Sequence, residues 1–325
     1  MKLIRLTLRY IFTFFLTFIS ISFCQAQEYP NKAVRLVVNF PVGGVADQIA
    51  RVLSIQLQQA LGQPFIVENR IGGNGNIGAA EVAKSAADGY TLLLSPSGVI
   101  SINGFLYSNL SFDPFRDFVP IASQAMVTVF LVVKPGLPVS TMQEFLTYLR
   151  LNSGRLNYGS PGSGSSPHLA AEMLKRDAKV NATHIPYKGA APALTDLMGG
   201  QIDFMFDPGV ALPQINSGKL RLLAVGSLKR HPAFPDVPTV SEVLGSEFDA
   251  GTIFGLLAPK GTSNVVISKL NTEISRIMQT PEMKLRISAL GAEPLYLSTT
   301  AYSLRLRTIN EKMESLVKET NMKAD

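Results

Sequence analysis

Short apolar runs alternate with longer stretches of helical periodicity from residue 35 onward, and that alternation constrains the chain to an α/β fold. Strands are expected at 35–39, 65–68 and 90–94, with helices at 47–61 and 77–86 between them. In the first helix Ile49, Val52, Leu53, Leu57 and Leu61 recur at helical spacing and form one stripe for burial, leaving Gln56 and Gln59 outside it. Two segments interrupt the series. An apolar run at 126–133 leads into Lys134-Pro135-Gly136-Leu137-Pro138, a passage out of one lobe; a second at 252–258 leads into Pro259-Lys260-Gly261-Thr262, the return. Between them lies another α/β set, with helices at 141–151, 168–176 and 192–198 and strands at 156–158, 183–186 and 204–206. Helices at 265–278 and 300–320 close the chain, and Leu304, Ile309, Met313 and Leu316 of the last are expected to pack on lobe one. Roughly 300 residues exceed the usual size of one core and can bury two. The expected organisation is lobe one at 27–130 and 252–325, lobe two at 131–251, and a hinge crossed twice.

The first 26 residues read as a secretory signal peptide. Lys2, Arg5 and Arg9 precede an apolar run at 11–23 that ends near Ala26, where cleavage is expected. The run is too short for a permanent span, and Phe23 is bulky where lipidation of Cys24 wants a small residue. Cys24 is the only cysteine, so the mature chain has no thiol for a disulfide or a cysteine-based metal site, and its stability comes from its cores. The formal charge of +6 includes three basic residues of the signal and no acidic ones, and +6 less three leaves +3. With no Lys/Arg block interleaved with aromatics, nucleic-acid binding is set aside. The expected compartment is the periplasm.

Two loops carry the chemistry. Phe40-Pro41-Val42-Gly43-Gly44-Val45-Ala46-Asp47 joins the first strand to the first helix, where glycines let N–H groups turn toward a guest at a helix start that favours anions. Tyr158-Gly159-Ser160-Pro161-Gly162-Ser163-Gly164-Ser165-Ser166-Pro167-His168 repeats the device in lobe two. Alone, the first loop reads equally as a tight turn with Asp47 capping its helix, and the second as a flexible connector. Facing each other across a cleft, they would hold a carboxylate with uncharged donors and bridging waters.

Rival chemistries are weaker. Gly73-Asn74-Gly75-Asn76-Ile77-Gly78 satisfies a dinucleotide-binding pattern, but the acidic residue wanted after the next strand is absent from Leu93-Leu94-Ser95-Pro96-Ser97, and secretion argues against NAD. His168, His184 and His231 have no metal-site spacing, so no metal is expected. A hydrolase dyad of His168 with Ser163 or Ser165 lacks the nucleophile-elbow sequence, and no catalytic residue is expected. Lys188 reads as a solvated lysine beside a turn, and the basic terminal helix as one that packs on the protein rather than on a membrane.

Taken in order, residues 41–47, Val67-Glu68-Asn69-Arg70 with Gly75-Asn76-Ile77-Gly78, Asp88-Gly89-Tyr90-Thr91-Leu92-Leu93, residues 158–168, residues 186–194 and Asp236-Val237-Pro238-Thr239 resemble the Bug family. These are the TctC-like solute receptors of tripartite tricarboxylate transporters, and the resemblance covers nearly all of the mature chain. It implies a two-lobed periplasmic-binding-protein type II (Venus-flytrap) fold, a small carboxylate held by the first loop of each lobe, and no cofactor. On that resemblance Pro41, Gly43, Gly44 and Asp47 of lobe one, and Ser160, Ser163, Gly164, Ser165 and His168 of lobe two, inherit binding roles. Ser97 and Asp207 are candidates for contacting the rest of the ligand, and Asp47 is expected to position loop amides or water, since like charges repel. The implied partner is a membrane permease of the tripartite type, or a sensor kinase that reads the closed form, and the receptor is expected to be a monomer. Three departures stand out: Ala46 where relatives place a hydroxyl residue, Ile253 where tryptophan is frequent, and Val42 with Val45 in an unusually apolar first loop. They point to a less polar carboxylate.

Overall fold

The computed structural model describes residues 28–320 and 323. The expected signal peptide and its cleavage site lie outside the described residues. The chain divides into a short N-terminal unit ending at Asn31, whose described residues form no helix or strand, and a unit from Lys32 onward. In that second unit β1 (Val34–Val38) leads to α1 (Val45–Leu61), β2 (Phe65–Asn69), α2 (Asn76–Ala83) and β3 (Thr91–Pro96). Two short helices, α3 (Ser97–Ser101) and α4 (Asn103–Leu106), precede β4 (Phe118–Val127) and β5 (Phe130–Val133). Then come α5 (Met142–Leu151), β6 (Asn157–Ser160), α6 (Ser166–Ala178), β7 (Thr183–Pro186), α7 (Ala190–Met198), β8 (Phe204–Asp207), α8 (Leu212–Asn216), β9 (Arg221–Val225) and α9 (Val240–Leu244). The chain closes with β10 (Thr252–Pro259), α10 (Asn264–Gln279), α11 (Pro281–Ala289), β11 (Ala292–Pro294) and α12 (Thr299–Thr320).

The strands form two sheets, of order β11-β4-β10-β3-β1-β2 and β7-β6-β8-β5-β9. In the first, β1 is parallel to both β2 and β3, while β10 runs antiparallel to β3 and β4. In the second, β6 is parallel to both β7 and β8, while β5 runs antiparallel to β8 and β9. Each sheet thus contains a parallel trio flanked by an antiparallel strand, β10 or β5, which is the strand the chain forms just after changing sheets; β4 and β11 extend the first sheet beyond β10, and β9 extends the second beyond β5. The parallel strands are apolar because helices cover them: Leu36, Val37, Val38, Leu92, Leu93 and Leu94 are fully buried. This two-lobed α/β architecture is the one expected from the alternation of short apolar runs and helical stretches.

Two features set the hinge. Between β4 and β5 only Thr128 and Val129 intervene, both buried, and on the return Gly226 N–H donates to Val129 O at 2.7 Å while Ala250 N–H donates to Gly226 O at 2.9 Å. Helix α12 adds a third link. Tyr302 and Leu306 sit in the core around β1, β3 and β10, whereas Leu316 and Val317 sit in the core built on β5, β6 and β8, with Met313 packed against it. The expectation that the apolar residues of this helix pack on lobe one is therefore corrected for its second half, and Leu304 is 66% exposed. A 22-residue helix is about 33 Å long, enough to reach from one core to the other.

Candidate functional site

The loops that leave the carboxyl ends of the parallel strands meet between the lobes. Ligands of open α/β sheets bind in such crevices because neighbouring connections diverge there and leave backbone groups unpaired. The cavity has a volume of about 100 Å³. Lobe one lines it with Phe40–Ala46 positions after β1 (Gly43 excepted), with Pro96, Gly98 and Val99 after β3, and with Asn74, Thr252 and Phe254; lobe two adds Pro161, then Gly164 to Pro167 after β6, Gly189 to Pro192 after β7, and Pro208 after β8.

Three helices of two turns or more begin at this cavity: α1 with Gly44 as its N-cap, α6 with Ser165, and α7 with Gly189. Each helix start exposes N–H groups without intrahelical partners and carries about half a positive charge, so the shared space favours an anion. The lobes approach closely around it. A Cβ on Gly189 would lie 2.9 Å from Pro41 Cγ, and one on Gly164 would collide with Leu106 Cδ1; both glycines have positive φ, +126° and +82°. Tyr107 Oη donates to Ser163 O across the lobes at 3.1 Å.

The expected site residues fall into two groups. Pro41, Gly44, Gly164 and Ser165 line the cavity, and so does the unusual Ala46. The others lie outside that lining and hold the loops. Asp47 is buried; its Oδ2 accepts Gly43 N–H at 2.9 Å and Arg51 Nε–H at 2.9 Å, and its Oδ1 accepts Asn69 Nδ2–H at 3.0 Å. Burial alone would raise its pKa, but the bonds from Arg51, Gly43 and Asn69 outweigh that and hold it below the ordinary value. It sits at the third residue of α1, where a negative charge also suits the helix start, while Gly44 is the cap. Gly43 faces a neighbouring groove rather than the cavity. Ser97 bonds Thr252 Oγ1 at 3.1 Å and accepts Ile253 N–H at 3.2 Å, which fixes the strand that brings Thr252 and Phe254 to the cavity; Ile253 itself turns into the core.

In lobe two a pair of stacked histidines, His168 and His184, supports the second loop with ring centroids 3.9 Å apart. His168 Nδ1 accepts Gly164 N–H at 2.9 Å, and His184 Nε2 bonds Ser160 Oγ at 2.7 Å. Burial, reinforced by Lys175, lowers His168 to about 4, and burial, reinforced by His168, lowers His184 to about 3, so both rings are neutral at physiological pH. The His168 ring thus bonds neither Ser163 nor Ser165: the Ser165 hydroxyl caps α6 by accepting His168 main-chain N–H and donates to Gly162 O at 2.7 Å. Asp207 is fully buried, its Oδ1 accepting N–H from Gly209 at 2.7 Å and Ala211 at 2.8 Å, which shapes the turn that carries Pro208.

Several cavity residues were not singled out from sequence. Asn74 stands in the left-handed conformation between two glycines and bonds Asn103 at 3.0 Å. Its Gly-Asn-Gly setting, weighed above only as a dinucleotide pattern, is the signal for that conformation. The start of α7 follows a strand and a glycine, as the start of α1 does, and that repetition marks it.

The model of the tripartite tricarboxylate transporter family receptor matches residues 49–322. The chain belongs to this family, the Bug receptors. Their solved structures superpose closely. The structure of R. palustris Rpa4515 with adipate has a TM-score of 0.88 at 32% identity, covering 91% of this chain and 99% of that one. The periplasmic binding protein BugD gives 0.85 at 34% identity over 91% and 99% of the two chains. MatC (Rpa3494) from Rhodopseudomonas palustris with bound malate gives 0.83 at 32% identity over 89% and 100%. The Bug receptors are solute-binding receptors rather than enzymes, and this chain is a solute-binding receptor of that periplasmic type.

Proposed function

We propose that this receptor captures a small carboxylate in the cavity between its lobes and presents it to the membrane permease of a tripartite transporter. The observation that carries this reading is the convergence of the starts of α1, α6 and α7, from both lobes, on one cavity. Relatives solved with adipate and with malate support the ligand class. On this reading the signal at 1–26 exports the chain to the periplasm, where it acts as a single chain with lobe one at 27–130 and 252–325 and lobe two at 131–251. Pro41, Gly44, Gly164 and Ser165 contact the ligand or its waters. Gly43, Asp47, Ser97, Ser160, Ser163, His168 and Asp207 hold the loops that do so. Ligand contacts made with both lobes at once favour the closed form, and that differential affinity drives closure.

A thermal-shift screen of small carboxylates tests the reading. A ligand at about 100 times its Kd adds roughly 2.7 kcal/mol to stability, a clear rise in melting temperature. Gly44→Asp keeps a good N-cap for α1 but places a negative charge at the cavity, so the variant is expected to fold and to lose the shift. A hit whose shift survives Gly44→Asp, or a screen without any hit, removes the proposal.

A further inference from the structure

We infer that the ligand is a monocarboxylate with an apolar tail, of about five or six carbons in all, rather than a di- or tricarboxylate. This rests on the carboxylate-receptor reading above and sharpens it. Apart from the helix starts, the walls are Phe40, Val42, Val45, Ala46, Val99 and Phe254 together with prolines and small residues, and among the described residues no Lys, Arg or His lines the cavity. Four polar side chains do, Asn74, Ser165, Ser166 and Thr252, and Asn74 Oδ1, which has no partner among the described residues, is an acceptor, which repels a second carboxylate. Ser165 Oγ is taken up by Gly162 O and His168 N–H, Thr252 Oγ1 bonds Ser97 at 3.1 Å, and Asn74 Nδ2 donates to Asn103.

Charge and size then point the same way. Three helix starts of about half a charge each suit one carboxylate, but a second would be stripped of water against apolar walls with no cation beside it. A volume of about 100 Å³, against the roughly 10–15 Å³ that one water needs, holds about eight non-hydrogen atoms. A carboxylate and a tail of about five carbons fill that space. The tail gains from burial what a polar chain would lose there.

Isothermal titration of the exported receptor with pentanoate, hexanoate, succinate, adipate, malate and citrate tests this. Hexanoate or pentanoate is expected to bind at least about tenfold more tightly than adipate, the six-carbon dicarboxylate, a ratio worth about 1.4 kcal/mol. Adipate or another diacid binding as tightly as hexanoate overturns the inference and leaves the carboxylate-receptor reading standing. Failure of every carboxylate to bind overturns both. Ala46→Ser puts a hydroxyl on the apolar wall and is expected to narrow the hexanoate-to-adipate ratio several-fold; an unchanged ratio removes that wall as the source of selectivity.

Discussion

At the scale of single residues, the loops are shaped by groups that stand behind them. Asp207 is the sharpest case, because burial pushes its carboxyl up from the ordinary 3.8 to about 6 against the opposing effect of the Ala211, Gly209 and Val210 N–H groups. Its second oxygen, Oδ2, has no hydrogen-bond partner among the described residues. The native state therefore holds this proton more tightly than the unfolded chain does. That contribution to stability is complete below 3.8 and is lost as pH rises through 6. Asp207→Asn cannot ionise, so its stability relative to the parent should improve between pH 4 and pH 7.5, by at most about 3 kcal/mol. Urea unfolding at the two pH values measures the difference, and a difference that does not change with pH counts against the buried charge. Sequence identified Asp207 as a candidate ligand contact because it follows an apolar strand; its burial depends on α8 and β5 packing around it, which no local pattern reports.

At the scale of elements, helix starts do two jobs that mutation can separate. Thr141 and Ser165 are both N-caps with the side chain accepting a main-chain N–H, Thr141 within a full capping box with Glu144. Replacement of either by alanine is expected to cost about 1 kcal/mol of stability. Only Ser165 borders the cavity, where its hydroxyl ties Gly162 to the start of α6, so Ser165→Ala should also loosen that loop and weaken ligand binding, whereas Thr141→Ala should leave it within error. Chemical denaturation paired with titration checks both halves, and equal loss of affinity in the two variants would detach the cap from the site. Long helices such as α1 and α10 were legible because their apolar stripes repeat over several turns. The short α3, α4, α8 and α9 and the three-residue β11 carry too few residues to show a period, and tertiary contacts hold them.

At the scale of the whole molecule, closure depends on surfaces that meet without side chains between them. Gly189 of lobe two lies against Pro41 of lobe one, and its φ of +126° already disfavours any other residue. Gly189→Val is expected to hold the lobes apart and weaken ligand affinity at least about tenfold, roughly 1.4 kcal/mol. Small-angle scattering at saturating ligand should show the parent compacting and the variant remaining extended; a variant that compacts like the parent would remove Gly189 from the closing contact. On the proposed closure, helix α12, seated in both cores, would keep one set of contacts and slide over the other.

The sequence by itself determined the α/β class, the two apolar runs beside which the chain changes sheets and the glycine-containing loops before α1 and α6, because strand alternation, helical stripes and turn residues are written over neighbouring positions. The crossings themselves lie at Thr128 and Val129 and ahead of Thr252 rather than at 134–138 and 259–262, because β5 and β10 already belong to the sheet being entered. Only the tertiary structure decided that α7 joins those two helix starts, that Asn74, Thr252 and Phe254 complete the walls, and that α12 serves both cores. These residues come from segments far apart in the chain, and what they line depends on how two sheets face each other, a relation that periodicity within one segment does not encode.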